Sequence, residues 1–166
     1  MKTVPLLLLL ALLPAAPASA QATKPACPTL TEEQRAAIEA GEVVVYAVKD
    51  PDRPDVATAT GIVEIEAPQQ EIFDILASET HSEAASKAMK DCTVHVDERL
   101  SPDHRQMVVT YLMKVGPTEI QWTVGRDLYE KLGLLVFEID DSYDNDIEWT
   151  QGYYAFYPGS DANHVM

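Results

Sequence analysis

Side chains able to do chemistry are few and scattered in this 166-residue chain. The four histidines, His81, His95, His104 and His164, form no i,i+4 pair and no histidine–cysteine spacing of the zinc-binding kind. Cys92 and His95 stand three apart on a β-branched stretch, so they point to opposite strand faces and do not make a thiol–imidazole pair. Residues 140–148, DDSYDNDIE, offer carboxylates for calcium. They lack the glycine and glutamate that a calcium loop carries at its sixth and twelfth positions, and read as an acidic hairpin turn. Residues 79–83, ETHSE, read as a solvated turn between helices. No G-x-S-x-G elbow or phosphate loop occurs. Arg126 is the sharpest residue left. It alternates in phase with Ile120, Trp122 and Val124, and a charge turned inward needs a partner. Three partners are open to it: a ligand carboxylate, phosphate or carbonyl; an internal acid such as Glu138 or Asp127; or water at the sheet rim.

The elements that must position such a residue begin after residue 20. Residues 1–20, MKTVPLLLLLALLPAAPASA, have one lysine, a short leucine-rich core and an Ala-Ser-Ala end, the pattern of a secretory signal peptide. The apolar run is too short to span a bilayer, so no stable membrane insertion is expected after its removal. What remains is long enough for one domain with a core. A net charge of −15 excludes nucleic acid and anionic lipid surfaces as partners. Export implies an oxidising compartment, where Cys27 and Cys92 either form a disulfide or remain two free thiols.

Residues 21–40 read as a loose Pro/Ala-rich leader followed by a short helix. Thr31 and Gln34 form its capping box and Gly41 closes it. Strands at 43–48 and 56–66 flank a proline-containing turn, KDPDRP, and make an N-terminal hairpin. Within residues 61–76, GIVEIEAPQQEIFDIL, alternation buries Val63 and Ile65, Pro68 opens a helix, and Ile72, Phe73, Ile75 and Leu76 form its apolar face. Ser82 can cap a second short helix within 79–90. Strands at 92–100, 105–115, 119–130, 133–140 and 147–157 then complete an antiparallel meander.

The segment GIVEIEAPQQEIFDILAS resembles the strand–Ala-Pro–helix opening of the SRPBCC superfamily, the helix-grip fold of START lipid-transfer domains, polyketide cyclases and coenzyme Q-binding proteins. IEWTQGYYAFYP is similar to that family's penultimate strand, and residues 41–48 resemble exported members. The resemblance covers residues 41–166. It implies an α+β fold in which a curved antiparallel sheet carries two short helices after its first sheet strand. A long C-terminal helix then closes a ligand cavity over the concave face. The chain stops at residues 161–166, where the last strand would begin, so the expectation is a domain incomplete before that helix.

Alternation names the cavity face. Met107, Val109, Tyr111 and Met113 face the helix side, as do Trp122, Val124 and Arg126, then Leu135, Phe137 and Ile139. On the last strand the family pattern turns Tyr154 and Phe156 inward, whereas polarity favours Trp149, Tyr153 and Ala155; a bulge near Gly152 would reconcile them. Methionines and aromatics suit irregular ligands. A ligand burying about 300 Å² of apolar area would gain on the order of 7 kcal/mol before association costs. The expectation is therefore a periplasmic or secreted binding module for a hydrophobic small molecule (lipid, quinone or polyketide-like), needing no cofactor or metal. The alternative is a polyketide cyclase or dehydratase in which Tyr111 or Arg126 polarises a carbonyl. A scaffold domain with a filled core is a third reading.

Overall fold

A computed structural model of the chain describes residues 22–49, 57–78, 87–159 and 164–166. The signal segment, most of the KDPDRP turn and the Ser82 helix start lie outside the described residues. Helix α1 (Glu32–Glu39) opens with the expected capping box: Thr31 Oγ1 accepts from the Gln34 amide and the Gln34 side chain accepts from the Thr31 amide. Strands β1 (Val44–Lys49) and β2 (Ala57–Ile62) pair antiparallel in a hairpin of their own. Strand β3 (Ile65–Glu66) leads into helix α2 (Gln69–Leu76). Five long antiparallel strands follow, β4 (Met89–Ser101), β5 (His104–Val115), β6 (Thr118–Tyr129), β7 (Leu134–Ile139) and β8 (Gln151–Ala155), in spatial order β4-β5-β6-β7-β8. Strand β9 (His164–Val165) pairs with β3, and the Tyr157 and Met166 main chains exchange two hydrogen bonds that carry the ladder from the end of β8 to β9. Among the described residues no helix is long and apolar enough to cross a membrane.

Register decides which side chains meet. The β5–β6 hairpin turns through Gly116-Pro117, with Gly116 at φ 62 in the position of a two-residue turn that demands positive φ. Twelve residue pairs then follow from Val115↔Thr118 to His104↔Tyr129 without a shift. Strand β4, by contrast, slips against β5 at three places, between Met89 and Asp91, Val94 and Val96, and Arg99 and Ser101. Each slip adds local twist, which bends this edge of the sheet. One consequence is that Cys92 and Val94 share the face of Tyr111 and Val109, while Val96 turns to the opposite one.

The core lies where α2 meets the concave face. Ile72 and Phe73 pack with Cys92, Met107, Val109, Leu128, Leu135, Phe156 and Val165, and the Phe73 and Phe156 ring centroids stand 4.8 Å apart. Such a tilted pair adds about 0.5–1.5 kcal/mol to the burial itself. Short helices need this help, because an eight-residue helix is not stable alone.

Several expectations need correction. Pro68 caps α2 from extended backbone (ψ 142) instead of serving as its first residue. The expected single strand from 56 to 66 breaks at 63–64, because β2 pairs with β1 and β3 pairs with β9; Ile62 is buried and Ile65 exposed, the reverse of the alternation. Ile75 is exposed, so α2 buries a narrower stripe than its four apolar residues suggest. The expected helix does not reach residue 90, since β4 already begins at Met89. The leader is not loose at Lys24-Pro25: Tyr157 Oη donates to the Pro25 carbonyl at 2.8 Å, and the Lys24 ammonium bonds the Phe156 carbonyl. Cys27 is exposed in the leader and Cys92 is buried in the core.

No bulge interrupts β8. Gly152 sits opposite Phe137, and a Cβ added there would stand 2.5 Å from the Phe137 ring. Gly152→Ala should therefore cost about 1–3 kcal/mol in urea unfolding, the range for overpacking; an unchanged midpoint would mean that the ring has room to move. A second test concerns Asp97, whose carboxylate takes two hydrogen bonds from Arg105 at 2.6 Å. Those bonds hold its pKa below the ordinary carboxylate value. A lowered folded-state pKa stabilises above the unfolded value and loses that contribution as pH falls through the folded one. The pair is partly exposed, so Asp97→Asn should cost about 0.2–1 kcal/mol at neutral pH. The cost should vanish once wild-type Asp97 is protonated too, and denaturant unfolding at both pH values measures it.

Candidate functional site

Three strands put the expected side chains on one face. Across β5, β6 and β7, Met107 lies opposite Arg126 and Arg126 opposite Phe137; Val109 lies opposite Val124 and Val124 opposite Ile139. Tyr111 faces Trp122, and Met113 faces Ile120. Strand β8 adds Tyr154, opposite Leu135. The family pattern for β8 thus describes its orientation, and the polarity reading of Trp149, Tyr153 and Ala155 does not.

This face divides into two parts. Under α2 it is filled: Met107 and Val109 are buried in the core cluster, and Val124 is also buried. These three residues pack the domain. Away from α2 the face opens. Tyr111, Met113, Trp122 and Phe137 are half-buried, while Tyr154 is 48% exposed. The rings are arranged in pairs, Tyr111 with Trp122 at 5.5 Å and Phe137 with Tyr154 at 5.9 Å between centroids. Apolar surface left in this state is what an organic ligand would cover.

Arg126 stands at the boundary between the two parts, 7% exposed. Its guanidinium donates to the Leu76 carbonyl in the last turn of α2 and, at 3.2 Å, to Tyr111 Oη. The C-terminal carbonyls of a helix lack intrahelical partners and carry partial negative charge, so they suit a cation. The expected ion pair with Glu138 or Asp127 does not form. Asp127 lies on the outer face and binds His104 Nε2 at 2.7 Å, and Glu138 sits beside Gly125 on that same outer face. Among the described residues no carboxylate neutralises Arg126. The acceptor that Arg126 does use is a main-chain carbonyl, which no reading of residue types could have named.

Chemistry elsewhere is spent on structure. His95 Nε2 and Thr110 Oγ1 are 2.7 Å apart, as are the Thr110 and Thr123 hydroxyls, and the rings of His95 and Tyr143 lie 4.8 Å apart. In the acidic turn, Asp140 Oδ1 accepts from Ser142, Asn145 Oδ1 from the Thr123 amide and Asp146 Oδ2 from the Gln121 amide. The turn therefore replaces β7 as the hydrogen-bonding neighbour of that end of β6. Among the described residues no group of three or more His, Cys, Asp or Glu side chains is set to hold a metal ion.

No protein-family model and no curated protein matches the chain. Two solved structures are similar to it. TTHA0849 from Thermus thermophilus aligns with a TM-score of 0.51 at 10% identity, covering 74% of this chain and 67% of that one. The Zhui aromatase/cyclase from a Streptomyces species aligns with a TM-score of 0.49 at 14% identity, covering 75% of this chain and 62% of that one. Likeness at such low identity concerns architecture alone. The architecture is plain: a curved antiparallel sheet holding a short helix in its concave face, the helix-grip fold that residues 61–76 resemble.

Proposed function

We propose that this is an exported binding module for a hydrophobic small molecule, a lipid, quinone or polyketide-like compound that lies along the open part of the concave face. One observation carries the reading. Arg126 is a buried cation at the inner end of an apolar, partly exposed aromatic surface, and it bonds a main-chain carbonyl and a phenol oxygen instead of an acid. A ligand with an apolar body would cover Met113, Trp122, Phe137 and Tyr154, and its carbonyl, carboxylate or phosphate oxygen would accept from Arg126. The body supplies affinity by burial. The oxygen supplies orientation, since a guanidinium donates in fixed directions. Among the described residues the side-chain group that touches Arg126 is the Tyr111 phenol, and the reading is one of binding.

Native mass spectrometry of the full chain after exposure to a bacterial lipid extract tests this. A discrete bound mass that survives buffer exchange is expected, and a spectrum showing only the bare chain contradicts the reading. Arg126→Met keeps the volume and removes the donors. It should weaken the recovered ligand by about 1.5–3 kcal/mol, the usual worth of a hydrogen bond to a charged group. Circular dichroism of the variant separates that loss from unfolding.

A further inference from the structure

We propose that the outer face of the sheet carries a second binding site, for a small organic cation with an apolar body. A depression of about 460 Å³ lies on this face, on the opposite side of the sheet from α2. That volume falls within the usual range for small-molecule sites, about 300–1,000 Å³. Its walls are Val96, Val108 and Val136, and Gly125 forms the floor.

Gly125 is the first observation. A glycine inside a strand weakens it and normally marks a bulge, a tight bend, or a close approach of a ligand or another backbone. Bulge and backbone approach do not apply here. Val108, Gly125 and Glu138 stand in unbroken register across three strands, and a Cβ added at Gly125 would meet nothing within 4 Å. Its φ is not positive, so the backbone would accept any β-forming residue. What the missing side chain leaves is open space between Val108 and Glu138.

Charge is the second observation. The acidic residues Asp127, Glu138, Asp140 and Asp141 line the groove, and no lysine or arginine does. Asp127 is matched by His104, and Asp140 accepts from Ser142. Glu138 and Asp141 have no ion-pair partner among the described residues. An apolar floor with an acidic rim complements an ammonium or amidinium group attached to a compact hydrophobic body. An anionic or neutral ligand of the same shape would gain the floor without the rim. This face is separate from the concave one, so the site stands or falls independently of Arg126.

Amide NMR of the full chain, titrated with tryptamine, indole and indole-3-propionate, tests the proposal by holding the ring constant and changing the charge. Tryptamine should give saturable shifts at Val108, Gly125 and Val136, with indole weaker by about tenfold and the anion giving no saturation. Gly125→Val should abolish the tryptamine shifts by filling the groove, and its far-UV spectrum should remain that of the wild type. The pair Glu138→Gln with Asp141→Asn provides a second variant that leaves the strand backbone intact, and should raise the dissociation constant by about tenfold. Equal binding of indole and tryptamine, shifts confined to the concave face, or undiminished binding by both groove variants would each overturn the proposal.

Discussion

The seating of α2 in the bend of the sheet is the contact on which everything else depends. Phe73 inserts at its centre against Phe156, the residue just after β8. The helix is tied at both ends as well: Gln69 Nε2 donates to the Glu130 carbonyl near its start, and Arg126 donates to the Leu76 carbonyl at its finish. An eight-residue helix has little stability of its own, so these three fixings determine its position. They also join elements far apart in sequence, since β3 and β9 close the same corner through Ile65 and Val165. Local contacts alone could not form this arrangement.

The proposed function follows from how much of the concave face the helix leaves bare. Met107 and Val109 are consumed in holding α2, so the open surface begins near Arg126 and runs outward over Tyr111, Trp122, Phe137 and Tyr154. Arg126 therefore serves two roles: it anchors the end of the helix and presents a cation to the open surface. A structural bond made to a main-chain carbonyl leaves guanidinium donors for another acceptor, whereas a bidentate carboxylate would have occupied them.

Much of this is legible in the sequence. Alternation on β5, β6 and β7 sorts inward from outward residues because Lys114, Thr110 and Glu138 mark the outer face unambiguously. Strand β8 defeats the polarity reading because Gly152 carries no polarity at all. Its place is set by the Phe137 ring, a packing fact between strands. The break at residues 63–64 is hidden for a similar reason. A strand that changes partners reads as continuous, so alternation turns Ile65 inward and Ile62 outward, the reverse of what pairing with β9 and β1 produces. The inward Cys92 and outward Val96 depend on a slip at His95 that composition does not signal. Arg126 stands out correctly as the residue needing a partner, but its acceptor belongs to the backbone and cannot be read from side-chain types.

The two tryptophans offer the most direct test of ligand binding on the concave face, because they lie in different places. Trp122 is half-buried on the concave face beside Tyr111, and Trp149 is exposed on the segment before β8. Their indole N–H signals can be followed separately while a naphthoquinone is titrated into the full chain. Binding against the open aromatic surface predicts a saturable shift of the Trp122 signal with Trp149 unmoved. A Trp122 signal that stays in place at saturating quinone, or one that moves in parallel with Trp149, would contradict it.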